Sequence, residues 1–208
     1  MKYALALAIS MWPALGGAEE YKLHHEKDGI QMYTRKVPGS DIKQIKGVGL
    51  IAAPPERVLA MLADVESYPR LMPPTVLARE LKREGNSAWF YMVIDPPLVK
   101  KRDYCIKITI SSLEGGAYES KWALTDEGCP APTSAMVRIA TNEGHWLVAP
   151  APGGSMVTYE GHSDPGGAAP KWIVNRVSAN SIPDVFVLMR NAVSQPRYAH
   201  CDNCPRAR

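Results

Sequence analysis

The chain has 208 residues, a formal net charge of +3, 46% hydrophobic and 22% charged residues. That length fits one domain. So small a charge, with no basic stripe, argues against a nucleic-acid surface; Lys100-Lys101-Arg102 is the tight basic cluster and reads as a solvated loop able to meet an anionic headgroup.

At the start, MKYALALAISMWPALGGA places one lysine before an apolar run from Tyr3 to Leu15 and ends it in Gly16, Gly17 and Ala18. This is the pattern of a secretory signal peptide, cleaved after Ala18. The run is short for a membrane span, and no later stretch approaches one. The mature chain is expected to be exported, to the periplasm, with a charge of +2 once Lys2 is gone.

Gly29–Val37 and Ile42–Ala53 read as strands joined by the turn Pro38-Gly39-Ser40-Asp41. Pro54-Pro55-Glu56 then opens a helix, since proline suits the first turn and an acid favours the positive end of the dipole. Val58, Leu59, Met61, Leu62 and Val65 follow at helical spacing, and Tyr68-Pro69 stops it. Val76–Lys82 is a strand. Ala88–Ile94 is apolar on both faces, so it should be central and covered. In Asp103–Ser111, Tyr104, Ile106, Ile108 and Ile110 share one face, and Asp103, Cys105, Lys107 and Thr109 the other. Glu114-Gly115-Gly116 turns the chain into a partner strand in which Tyr118, Ser120, Trp122 and Leu124 face inward. Val137–Thr141, His145–Ala149 and Met156–Ser163 supply further strands.

From Pro170 a long helix carries Trp172, Ala179, Ile182, Phe186, Met189 and Val193 on one stripe. Pro183 removes a hydrogen bond to the Ala179 carbonyl and should kink it. Asn175, Arg176, Ser178 and Asn180 read either as its solvent face or as groups facing a cavity. Strands in succession with segregated helices read as α+β with an antiparallel sheet. The last helix is the element long enough to cover that sheet, and a curved sheet gripping one helix leaves an apolar space between them.

GIQMYTRKVPGSDIKQIKGVGLIAAPPERVLAMLADVESYPRLM, PPLVKKRDY, GHWLVAP, VTYEGHSDPGG and APKWIVNR, in that order, resemble bacterial START domains, the steroidogenic-acute-regulatory-related lipid-transfer family. The resemblance covers roughly residues 20–195. It implies a helix-grip fold, a curved antiparallel sheet wrapped around the C-terminal helix, with an internal tunnel for one hydrophobic ligand such as a lipid, sterol or phospholipid. The C-terminal helix and loops such as Asp95–Arg102 would gate it, for transfer or sensing. The expected organisation is a signal peptide at 1–18, a lipid-binding domain at 19–195 and a cysteine-containing tail at 196–208. The family pattern carries no universal catalytic residue.

A lipid site needs a dry concave wall with a few orienting polar groups. Tyr91, Tyr104, Tyr118, Trp122 and Trp172 are candidates for that wall, since tyrosine and tryptophan join a large apolar body to a polar tip. Ile106, Ala179 and Phe186 complete the apolar lining, with Arg176 beside them and Arg102 at the strand mouth where a headgroup would sit. Arg102, Asp103 and Arg138 are the charges most able to point inward, although Arg138 alternates out of phase with Val137 and Ile139 and favours the surface. No GxSxG, HExxH or phosphate-binding glycine loop occurs, and neither a cofactor nor a metal is expected. His200-Cys201-x-x-Cys204 is half a zinc site at most, while Cys105 and Cys129 can pair if the loop after Leu124 folds back. The partners expected are a hydrophobic small molecule or lipid and, transiently, a membrane, with the protein a monomer. The alternative is an enzyme of the same fold group, a polyketide cyclase or aromatase, for which His162 and Glu160 would supply acid–base chemistry.

Overall fold

The computed structural model describes residues 20–97, 99–167 and 170–201, and the side chains of 171–173 and 176–178 lie outside the described set. Strands β1 (Lys22–Lys27), β2 (Ile30–Val37) and β3 (Ser40–Ile51) come first. Helix α1 (Pro55–Ala63), a 3-10 turn and the short α2 (Tyr68–Leu71) follow. Strands β4 (Thr75–Glu84), β5 (Ser87–Ile94), β6 (Arg102–Ser112), β7 (Tyr118–Leu124), β8 (Val137–Arg138), β9 (Thr141–Ala151) and β10 (Gly154–Asp164) lead to helix α3 (Lys171–Ala192).

The strands form one sheet in the order β1-β2-β3-β10-β9-β7-β6-β5-β4. Neighbours along this path are antiparallel; the two-residue β8 lies off it and runs parallel to β6. The final two strands therefore insert between β3 and β7 and close the sheet around α3. Strand β1 adds to the elements expected from the sequence. Its hairpin with β2 turns on Asp28 and Gly29, both with positive φ (56° and 69°), the backbone of a two-residue type I′ turn.

Inside the curve, Ile45 and Ile51 of β3, Trp146 and Val148 of β9 and Val157 of β10 meet Ala179, Ile182, Val185, Phe186 and Met189 of α3. Helix α1 closes the other end with Val58, Met61 and Leu62. The grip is close because β3 presents glycine to the helix. A Cβ on Gly47 would stand 2.8 Å from Ile182 Cγ2, and one on Gly49 would stand 3.2 Å from the Phe186 ring. Side chains at these two positions would hold the helix off the sheet.

Helix α3 runs through Pro183 as one element. Near its start, Asn175 donates to the Asp41 carbonyl (3.0 Å) and accepts from the Lys43 amide (2.8 Å), so it fastens the helix to the β3 backbone. No helix among the described residues is long and apolar enough to cross a membrane.

Two expectations need correction. Strand β5 is not central but second from the β4 edge. It is buried on both faces because the segment after β7 folds back over its outer side, where the Cys105–Cys129 disulfide joins Tyr91 and Val93 in a small cluster with Met136 and Leu81 packed against it. The chain beyond Gln195 is also part of the packed body: Tyr198 is buried in the main core and donates to Asp64 (3.2 Å), and Cys201 packs against that core.

Candidate functional site

Between α3 and the inner face of the sheet lies a cavity of about 210 Å3. Tyr68 and Met72, from α2 and the turn after it, and Thr75 of β4 form one end. Met92, Tyr104, Ile106, Ile108, Trp122 and Trp146 form the sheet wall, and Ser181, Ile182 and Val185 of α3 form the roof. A smaller lobe of about 100 Å3 shares Tyr159, Ser163, Ser181 and Ile182 with it and extends toward Lys43. Alternation in β6 and β7 aims their apolar and aromatic residues here, because successive side chains of a strand point to opposite faces.

The aromatic wall depends on a glycine pair. Trp122 of β7 stands opposite Gly144 of β9, which stands opposite Gly161 of β10. A Cβ on Gly144 would be 2.5 Å from the Trp122 ring, and one on Gly161 would be 2.3 Å from the Tyr159 hydroxyl. The rings therefore occupy space that only glycine leaves free. Trp122 and Tyr159 stack at 5.6 Å, Tyr159 meets Trp146 at 4.7 Å, and Trp146 meets Phe186 at 5.8 Å. Offset and tilted contacts at such distances suit the quadrupoles of aromatic rings.

The polar groups among the described lining residues are neutral, hydroxyls with one amide and indole nitrogens. Trp122 Nε1 donates to Asn142 Oδ1 at 3.1 Å. Asn142 shares the cavity wall with Tyr104, and Ser163 lies directly across the strand pair from Asn142. Burial pushes the Tyr104 hydroxyl up to about 12, with Asn142 acting in the opposite sense. Burial likewise raises Tyr159 and Tyr68, and the Tyr68 hydroxyl donates a hydrogen bond to the Leu62 carbonyl at 2.8 Å. All three phenols are uncharged at neutral pH. The arrangement can solvate an apolar body and hydrogen-bond one uncharged end.

Residues 51–185 match the family described as polyketide cyclase / dehydrase and lipid transport. The chain belongs to this family. An uncharacterised protein of Pseudomonas aeruginosa is 30% identical over 193 residues, which is 91% of this chain and 95% of that protein. The crystal structure of a STAR-related lipid transfer protein fragment from Xanthomonas axonopodis superposes with a TM-score of 0.78 at 25% identity, covering 85% of this chain and 100% of that one. Human STARD10 superposes at 0.73 with 21% identity over 83% of this chain and 72% of its own, a likeness of fold. The helix-grip START fold expected from the sequence is the fold observed.

Within this START fold the candidate residues separate. Tyr104, Ile106 and Trp122 line the cavity. Tyr118 is buried on the same face but deeper, where its hydroxyl donates to Glu56 (3.4 Å). Ala179 and Phe186 are in the helix–sheet core, with Phe186 wholly enclosed over the β3 glycines. Tyr91 points to the outer face, because it neighbours Cys105 rather than Tyr104, and donates to Asp103 (3.1 Å). The side chains of Trp172 and Arg176 lie outside the described residues.

The charges also resolve differently from expectation. Arg102 is buried, but its guanidinium donates to the Lys100 carbonyl and to those of Pro165 and Gly166 (3.4 Å each). It ties the loop before β6 to the loop before α3 and does not reach the cavity lining. Asp103 and Arg138 pair with each other on the outer face. His162 and Glu160 alternate with Tyr159 and Gly161 and point outward, His162 toward Ser40 and the Ile42 carbonyl (3.2 Å each) and Glu160 toward Lys46 (3.1 Å). Asn142, Ser163, Tyr159, Ile182 and Val185 line the cavity without having been named as candidates. The stripe on α3 held the signal for Ile182; Asn142 carried none, because it precedes the strand as read from sequence.

Proposed function

We propose that the protein binds one hydrophobic ligand, a lipid or sterol-like molecule, between the sheet and α3, for transfer or sensing. The observation that carries this reading is the cavity itself, walled by aromatic and aliphatic side chains with neutral polar groups among them. Burial of ligand surface supplies the affinity, roughly 25 cal/mol per Å2 of apolar area. The lobe toward Lys43 shares four residues with the main cavity, so displacement of Ile182 and Tyr159 joins the two spaces for a longer ligand. Two likenesses support it: the family description names lipid transport, and the Xanthomonas relative is a lipid transfer protein by name.

Exchange with a membrane takes place at the loop between β5 and β6, where Val99 is exposed beside Lys100 and Lys101. Export by the N-terminal segment would place this monomeric carrier in the periplasm. The test is transfer of a fluorescent lipid between donor and acceptor vesicles. The protein should accelerate transfer in proportion to its concentration; no acceleration together with no uptake from donor vesicles contradicts the reading.

The family description also names cyclases and dehydrases, which keeps a second reading, cyclisation of a polyketide chain in the same cavity. Its acid–base groups would be the phenols of Tyr104 and Tyr159, since His162 and Glu160 face away. Conversion of a poly-β-ketone analogue, abolished in Tyr104→Phe, would favour it.

A further inference from the structure

The bond between Trp122 and Asn142 has a fixed direction. An indole nitrogen only donates, so the bond from Trp122 Nε1 sets the Asn142 oxygen toward the tryptophan. The amide nitrogen is then the side left to face the rest of the cavity wall, where Tyr104 stands with it in the lining. The Tyr104 hydrogen is left as a donor within the cavity wall. Ser163, opposite Asn142 on the next strand, adds a second neutral hydroxyl at the same level.

The charges at the start of β6, Arg102 and Asp103, are already engaged by the protein. The Arg102 guanidinium is spent on three backbone carbonyls, and Asp103 is held by Arg138 and Tyr91 on the far face. Among the described residues the main cavity lining carries no ionised side chain, and Lys43 at the end of the smaller lobe is exposed to solvent. A charged group brought in would lose its hydration with no opposite charge to meet it.

Resting on the ligand-binding reading, we propose that Tyr104, oriented by Asn142, donates a hydrogen bond to an uncharged hydroxyl or carbonyl oxygen of the ligand, so that the cavity takes neutral lipids and discriminates against charged headgroups. Tyr104 and Asn142 thereby become specificity residues. The preferred class is an apolar body with an alcohol, ester or ketone oxygen, and carboxylates and phosphate-bearing lipids are disfavoured.

The test uses three probes with the same rings and different ends, naphthalene, naphthol and naphthoate, added to the purified full chain and followed by fluorescence at neutral pH. Naphthol is expected to bind about 10-fold more tightly than naphthalene, the worth of one net hydrogen bond, and naphthoate at least about 10-fold more weakly than naphthol. Tyr104→Phe should erase the preference for naphthol over naphthalene, read as the ratio of the two affinities in the same variant, which a general loss of packing would leave in place. Asn142→Leu, which leaves Tyr104 in place, should remove most of the same preference.

Circular dichroism of each variant establishes that it is folded. Naphthoate binding as tightly as naphthol, or a preference that survives Tyr104→Phe, overturns the proposal and leaves the ligand-binding reading standing. A charged lipid as the main molecule co-purifying with the protein does the same. Failure to bind any probe, with no lipid co-purifying, overturns both.

Discussion

Asp103 is almost fully enclosed yet remains ionised, because Arg138 sets Nε at 3.0 Å and Nη2 at 2.9 Å from its two carboxylate oxygens. That bidentate hydrogen bonding holds its pKa below the usual carboxylate range despite burial. A depressed folded-state pKa contributes stability that is present above the unfolded value, near pH 4, and is lost as pH falls through the folded value. Arg138→Ala should therefore cost about 3 kcal/mol at pH 7, and the deficit should shrink as pH falls below about 4 and both proteins protonate Asp103. Urea titrations at pH 7 and at about pH 2.5 check this; a deficit equal at both pH values contradicts it. The same residues show why side-chain roles were only partly legible. Strands β6 and β7 alternate, so Tyr104, Ile106 and Trp122 could be assigned to a face. Strand β5 is apolar on both faces, its period gives no phase, and Tyr91 was assigned to the wrong side. Arg102 read as a headgroup ligand because nothing in a linear sequence shows that the carbonyls of Lys100, Pro165 and Gly166 converge on it.

Among the elements, β1 was hidden because Leu23-His24-His25-Glu26 does not alternate, although Asp28-Gly29 was a hairpin signal. The outer face of β5 is covered by a loop instead of a second layer, and the Cys105–Cys129 bridge, closing a separation of 24 residues, holds that loop down. A closed loop of this length removes unfolded-state entropy worth about 3.5 kcal/mol. The double variant Cys105→Ala, Cys129→Ala should lose about that much in urea unfolding, and reductant should destabilise the wild type toward the variant and by more than it destabilises the variant. Helix α3 was legible in place and stripe, since its apolar positions recur at helical spacing from Trp172 to Val193. What its sequence does not show is how tightly it sits. That follows from Gly47 and Gly49 beneath it and from Asn175 bonded to the β3 backbone. If α3 gates the cavity, hydrogen exchange along residues 170–193 should slow on lipid binding, most in the turns before Pro183, where the Ala179 carbonyl lacks its helical partner. Equal protection with and without lipid removes the gate.

For the whole molecule, the order of strands and helices was enough to indicate an α+β body gripping its last helix. The sheet order was not, because the insertion of β9 and β10 between β3 and β7 is a long-range pairing that local patterns do not encode. The cavity lay further still from the sequence. It exists because Gly144 and Gly161 let aromatic rings lie along the sheet while small and apolar residues of α3 roof them, and its volume depends on all of these at once. The central claim is that this space holds a lipid-like ligand, and native mass spectrometry of the protein purified without detergent from its host measures it directly. The account predicts a one-to-one complex with a hydrophobic molecule, released on unfolding and identifiable in the extract. A protein that is always empty, and stays empty after incubation with host lipid extract, would contradict it.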